Sequence, residues 1–324
     1  MAKTYKAKRR TTPQARALTP WHFGWMTVCI ILVAVLGGMW TQLQSVTHQN
    51  VDLKKQLTEL HEPADTCKVV GSWSADQSKS ESITVGSTQR NYLIHMPDSF
   101  KPNKYYPLVM FYVGRGSSAQ GAELAYDLDD LPAIVIYPVP TVGLQNMTAW
   151  EGAPYSSGAD DVAMTSSILN KVESDLCIDR TRVYATGMSN GGGFASLLSC
   201  QLSDKFAAYA IVAGAMYPPE GSCTPPVPTP LISIHGDRDP TVPYYGSLTR
   251  QLPPIESWVN MRASANRCAT RPTTTYPAAN LVLTTWNNCQ DDAEVQNVRV
   301  EGGGHVWGAV PNNLIWQFLS RFSL

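Results

Sequence analysis

Hydrophobic positions in this chain follow two patterns that alternate along most of its length. PLVMFYVG (Pro107–Gly114) and AIVIYP (Ala133–Pro138) are short unbroken apolar runs, suited to strands covered on both faces. SITVGSTQRNYLIHMP (Ser82–Pro97) reads as two strands turning at Gly86-Ser87. DDVAMTSSILNKVESDL (Asp160–Leu176) instead puts Val162, Ile168, Val172 and Leu176 at helical spacing, with aspartates where a helix N-terminus favours negative charge. A strand RVYATG and a helix after Asn190 follow, then strands AAYAIVAG (Ala207–Gly214) and LISIHG (Leu231–Gly236). A helix over Pro254–Asn266, strands near Leu281–Thr285 and Val295–Val300, and an amphipathic helix over Asn312–Phe322 complete the pattern. Such alternation predicts an α/β domain over 67–324, with a mainly parallel sheet flanked by helices. The proline-rich stretch Pro218–Pro230 reads as a loop within it, and no internal repeat is present.

The first 66 residues read differently. WHFGWMTVCIILVAVLGGMW (Trp21–Trp40) contains no Asp, Glu, Lys or Arg. As a helix it would span about 30 Å, the thickness of a bilayer's hydrocarbon core. Trp21, Trp25 and Trp40 lie near its ends, where indole rings favour the membrane interface. The expected organisation is a basic cytoplasmic tail (1–20), a transmembrane signal-anchor (21–42), and a spacer helix (43–66) carrying Leu53, Leu57 and Leu60 on one stripe. Cleavage near Gly37-Gly38 would make the segment a secretory signal instead. On either reading the body is exported, periplasmic or at the cell surface if anchored and secreted if released.

Charge sharpens the division. Residues 1–50 carry six Lys/Arg and no acid, and the remainder carries 19 basic against 26 acidic residues. A body of that sign lacks the basic footprint of a nucleic-acid binder. Cys29 falls in the anchor, leaving Cys67, Cys177, Cys200, Cys223, Cys268 and Cys289 in the body. None has zinc-ligand spacing, so no metal is expected, and an even number in an oxidising compartment suggests disulfides of open connectivity.

The chemistry begins at ATGMSNGGG (Ala185–Gly193). Ser189 lies in G-x-S-x-G, between Gly187 and Gly191, where a predicted strand meets a predicted helix. That context is the nucleophile elbow, a sharp turn on which small neighbours are needed and the serine points out above the sheet. A serine alcohol needs a base, and the base an orienting carboxylate. In elbow enzymes the chain order is Ser, acid, His. Here ISIHGDRDPTVPY ends one strand with Asp237 and Asp239, and VEGGGHVWG ends another with His305. His22, His48 and His61 flank the anchor or lie in the spacer, His95 lies inside a strand, and His235 reads as a packed or hydrogen-bonded residue. His305 is therefore the expected base.

CIDRTRVYATGMSNGGG, HGDRDPTVPY and EGGGHVWG together resemble the polyhydroxybutyrate depolymerase and feruloyl esterase branch of the α/β-hydrolases, similar to carbohydrate-esterase family 1. The resemblance covers about residues 67–324. It implies an α/β-hydrolase fold with Asp239, the last residue of H-G-x-x-D, as the catalytic acid and Asp237 as a turn residue. It implies a disulfide between Cys268 and Cys289. It places the oxyanion hole at the amides of Asn190 and Arg115, although Val113-Gly114 stands where relatives usually have His-Gly. Trp150 matches an aromatic position near the family's pocket, and Trp307 could join it in lining an apolar slot for substrate.

The expectation is an exported, membrane-anchored serine esterase using Ser189, His305 and Asp239 through an acyl-enzyme, with no metal or organic cofactor. The resemblance implies feruloylated or acetylated polysaccharide, or hydroxyalkanoate polyester, as substrate. The membrane is the other expected partner. A serine peptidase on the same fold and a catalytically inactive surface-binding homologue are the alternatives.

Overall fold

The computed structural model describes residues 67–217 and 225–324. The expected tail, anchor and spacer lie outside the described residues, as does Cys223.

The chain enters with a hairpin, β1 (Ser78–Val85) and β2 (Thr88–His95), turning at the expected Gly86. β3 (Tyr106–Tyr112) is buried at every position, as an unbroken apolar run requires when helices cover both faces of a sheet. Helix α1 (Ala119–Tyr126) is capped by the Ser118 side chain, which accepts from the Gly121 N–H. β4 (Ile134–Pro138) follows, then a small hairpin of β5 (Thr141–Val142) and β6 (Thr148–Ala149). Helix α2 (Asp161–Asp175) begins at Asp160, whose carboxylate accepts from the Ala163 N–H. β7 (Ile178–Met188) runs directly into helix α3 (Asn190–Gln201). The remainder is β8 (Ala208–Val212), β9 (Leu231–Gly236), α4 (Ile255–Ala265), β10 (Thr273–Ala278), β11 (Leu281–Trp286), β12 (Val295–Val300) and α5 (Asn312–Leu319).

Ten strands form one sheet in the order β1-β2-β4-β3-β7-β8-β9-β12-β11-β10. Its centre, from β4 to β12, is parallel throughout, and antiparallel strands occupy both edges. The order reverses between β3 and β7. β4 lies on one side of β3, whereas β7 and its successors lie on the other. Loops leaving the carboxyl ends of β3 and β7 therefore diverge, and such a switch point opens the crevice in which α/β sheets bind ligands.

Two disulfides brace the domain, Cys67–Cys177 near its first residues and Cys268–Cys289 between α4 and the loop after β11. Cys200 is disulfide-bonded as well. Among the described residues the expected strands and helices are present, with α5 ending at Leu319 rather than Phe322.

Candidate active site

Ser189 joins β7 to α3 in a conformation few L-residues adopt, with φ 58° and ψ −121°. Such a geometry costs on the order of 1–3 kcal/mol and persists only where its surroundings enforce it. They do so by close approach. A Cβ on Gly187 would lie 2.5 Å from the Gly191 carbonyl oxygen, and one on Gly191 would lie 2.0 Å from the Tyr112 carbonyl oxygen. Both glycines of G-x-S-x-G are thus demanded by the contact between β3 and the start of α3. The Ser189 N–H donates to the Val212 carbonyl, and its own carbonyl accepts from Gly193 and Ala215, so the backbone is fixed on both sides. The residue stands at the N-cap position, yet its hydroxyl does not cap the helix.

The expected acid and base follow neighbouring strands. Asp239 follows β9 and His305 follows β12, and these strands are parallel neighbours in the sheet. The His305 Nδ1–H donates to Asp239 Oδ2 at 2.7 Å. That bond leaves Nε2, on the far side of the ring, for other chemistry. In this structure Ser189 and His305 share no hydrogen bond. Bonds of this kind are often long without substrate and tighten as it binds.

Asp239 is held as an ionised acceptor. Its Oδ1 accepts from the N–H groups of Thr241 and Val242 at 2.7 and 2.8 Å. Its Oδ2 also lies 3.3 Å from His235 Nε2. The same Nε2 lies 2.8 Å from the Val242 carbonyl, which can only accept, so this nitrogen carries the proton. Burial alone would raise the Asp239 carboxyl, but the hydrogen bonds from His235, His305 and Val242 outweigh it and hold the group well below the usual carboxylate range. Asp237 has a different part. Its Oδ1 accepts from the Gly302 N–H at 2.7 Å, tying the acid loop to the loop that carries His305.

The expected oxyanion donors flank the nucleophile. A Cβ on Gly114 would lie 3.4 Å from the Cβ of Ser189, so the loop after β3 runs beside the elbow. Among the described residues, neither the Arg115 N–H nor the Asn190 N–H has a hydrogen-bond acceptor. The first N–H groups of a helix have none of their own, which leaves the Asn190 amide available at the mouth.

Trp150 and Trp307, expected to line a substrate slot, are both buried in this structure. Trp150 is fully buried, stacked on Phe194 at 5.3 Å and edge-on to Tyr112. Its Nε1–H donates to the Val113 carbonyl at 2.7 Å, and its backbone N–H donates to Asn190 Oδ1 at 2.8 Å. It therefore ties the loop after β3 to the first residue of α3, the two segments expected to carry the oxyanion donors. Trp307 is buried against Phe111 and Tyr126, and its Nε1–H donates to Asn312 Oδ1 at 2.9 Å. Asn312 in turn donates to the carbonyls of Tyr126 and Asp127, so the tryptophan anchors the His305 loop to α1 and α5.

The segment 92–225 matches the family model described as Esterase PHB depolymerase. Over 259 residues the chain is 30% identical to feruloyl esterase B of Piromyces equi, covering 72% of this chain and 46% of that protein. Over 194 residues it is 30% identical to feruloyl esterase C of Emericella nidulans, covering 56% of this chain and 67% of that protein. The chain belongs to the polyhydroxybutyrate depolymerase and feruloyl esterase branch of the α/β-hydrolases. It spans about half the length of the Piromyces relative. Among solved structures, an acetyl xylan esterase from Aspergillus awamori superimposes with a TM-score of 0.58 at 15% identity, covering 75% of this chain and 99% of that one. That likeness establishes the α/β-hydrolase fold.

Two supporting features of this family member go beyond what its motifs announce. One is the proton that His235 shares between Val242 and Asp239, for which the only signal in the chain is its place at the end of LISIHG. The other is a buried ion pair, Arg90–Asp161 at 2.6 Å. Asp161 Oδ2 accepts from the Glu151 N–H, and Glu151 accepts from the N–H groups of Asp161 and Val162, so the pair fastens the residue after Trp150 to the start of α2. Burial raises the Asp161 carboxyl even though its bonds to Arg90 oppose this.

Proposed function

We propose that this protein is a serine esterase that hydrolyses carboxylic esters through an acyl-enzyme. The Ser189 hydroxyl attacks the ester carbonyl carbon while His305 Nε2 takes its proton, and Asp239 holds the opposite nitrogen and stabilises the imidazolium. The negative charge developing on the carbonyl oxygen is met by the N–H groups of Asn190 and Arg115. The imidazolium then protonates the departing alkoxide. Water attacks the acyl-serine with His305 again as base, which releases the acid and restores the hydroxyl.

The observation that carries this reading is the short bond from His305 Nδ1 to a carboxylate that three further donors keep ionised, on loops at the same carboxyl edge of the sheet as a strained elbow serine. Relatives named as feruloyl esterases, and one named as a bifunctional acetylxylan esterase/xylanase, point to feruloyl or acetyl esters of polysaccharide as the substrate class. Leu144 and Val306, both exposed, supply apolar surface beside the loops of Arg115 and His305. The domain works outside the cytoplasm, where the disulfides Cys67–Cys177 and Cys268–Cys289 persist, and the Trp21–Trp40 segment anchors it to the membrane.

A panel of feruloylated and acetylated oligosaccharides, a hydroxybutyrate oligomer, a nitrophenyl ester and the matching anilide tests the proposal. Turnover of esters with little of the anilide is expected. Turnover of the anilide at a comparable rate overturns the ester assignment in favour of a peptidase, and turnover of none overturns both.

A further inference from the structure

Beside the elbow stands an arginine that nothing described in the protein neutralises. Arg115 is half-buried, and its NH2 group donates to the Leu144 carbonyl at 3.3 Å and to Gln145 Oε1 at 2.9 Å. Its guanidinium carbon lies 4.1 Å from the centroid of the Tyr155 ring. These neutral partners fix the plane of the group without cancelling its charge. Among the described residues no carboxylate lies within 4.0 Å of it, its buried Nε–H has no acceptor, and its NH1 group makes no hydrogen bond.

A second cation accompanies it. Arg250 donates through NH1 to the Thr241 carbonyl and also has no carboxylate partner among the described residues. Arg250 thereby sits on the Thr241–Val242 segment, and Val242 belongs to the apolar cluster against which Tyr155 packs. Tyr155 packs against a small apolar cluster of Ala153, Ala215, Tyr217, Val242 and Leu252, separate from the main core. That cluster joins the two halves of the site, because the Ala215 N–H bonds the Ser189 carbonyl and the Val242 N–H bonds Asp239. Acids outnumber bases in this body, yet neither arginine has a carboxylate partner among the described residues.

Arginine with a fixed plane and open donors is suited to a planar oxyanion. We propose that Arg115, supported by the field of Arg250, binds a carboxylate on the substrate, so that the preferred esters carry an anionic group in the acyl or the alcohol part. This inference rests on the esterase reading and names the substrate class of the same site.

The test compares two nitrophenyl esters of similar shape, the hexanoate and the half-ester of adipate, which differ in one terminal carboxylate. The full chain should show a kcat/KM ratio of adipate to hexanoate of roughly tenfold or more, falling as sodium chloride screens the charge. In Arg115→Gln the ratio should drop about tenfold, and Arg115→Lys, which keeps the charge, should retain part of it. The ratio is informative even if the substitution also slows the hexanoate, because a shift of the backbone amide affects both esters alike. In the unmodified protein, free adipate should inhibit hexanoate hydrolysis more strongly than adipamide. A ratio unchanged by Arg115→Gln, or equal inhibition by adipate and adipamide, overturns the proposal while leaving the esterase reading intact. Failure of the unmodified protein to cleave either ester overturns the esterase reading itself.

Discussion

Replacing Trp150 by phenylalanine separates a residue that braces the site from one that lines it. The substitution keeps an aromatic ring against Phe194 and Tyr112 but removes Nε1 and its 2.7 Å bond to the Val113 carbonyl. Leaving a buried acceptor without that donor costs about 1–3 kcal/mol. The smaller ring leaves a void in a fully buried position, which adds roughly 1 kcal/mol. The domain should therefore lose about 2–4 kcal/mol, which at about 2–4 °C per kcal/mol for a domain of this size lowers Tm by roughly 5–15 °C. Val113 immediately precedes Gly114 and Arg115, so the loop proposed to carry one oxyanion donor loses its support. An expected fall in kcat of about tenfold or more follows, because displacements near 1 Å at such donors are costly. Thermal unfolding by circular dichroism and steady-state kinetics on a nitrophenyl ester measure the two effects. A Tm within 1 °C of the parent (roughly the shift of a contact that carries no burial), together with a raised KM and unchanged kcat, would refute the bracing role and return Trp150 to the substrate wall.

Ser189→Ala should reduce ester turnover by several orders of magnitude, about as much as removal of the whole triad, because its members act as a unit. Asp239→Asn should cost more stability at pH 6 than at pH 3, as read by urea unfolding. The folded carboxyl lies below its unfolded value of about 3.9, so its contribution is present above that pH and fades as pH falls toward the folded value. An equal loss at both pH values would show that the hydrogen bonds do not depress it. Asp161→Ala should destabilise the domain by about 3–5 kcal/mol, since it strips a buried guanidinium of its partner. A change under 1 kcal/mol would mean that Arg90 finds another acceptor or water (the range of an exposed pair). Removing Cys67–Cys177, which closes a span of 110 residues, should cost about 1.5 kcal/mol more than removing Cys268–Cys289, which closes 21, on the chain-entropy account. Denaturant melts of the paired alanine variants give the difference, and the reverse order would contradict that account.

The central strands were legible because parallel strands buried on both faces leave continuous apolar runs, as in PLVMFYVG and AIVIYP. The elbow was legible because its backbone tolerates only glycine two residues either side of the serine, a constraint written directly into ATGMSNG. β10 was not, since every residue of TTTYPA is exposed and its pairing with β11 at the sheet edge needs no apolar alternation. Helix α1 escaped for a similar reason, because only Ala119 and Ala122 are buried and no amphipathic stripe results. Trp150 and Trp307 show the limit most clearly. Their depth is set by Phe194, Phe111 and Tyr126, partners from distant elements, and nothing in TAWEG or HVWG distinguishes a buried indole from a lining one. That Arg115 meets only neutral partners is equally non-local, because it depends on which groups fold toward it from the β5–β6 hairpin and from Tyr155.

The central claim is that an imidazole oriented by a carboxylate makes the alcohol at the elbow reactive, and covalent labelling reads this directly. The full chain is treated with a fluorophosphonate, digested, and mapped by mass spectrometry alongside a His305→Ala variant. The account predicts one stoichiometric adduct on the peptide containing Ser189 and almost none in the variant. An unlabelled Ser189 in the parent, or equal labelling with and without His305, would contradict it.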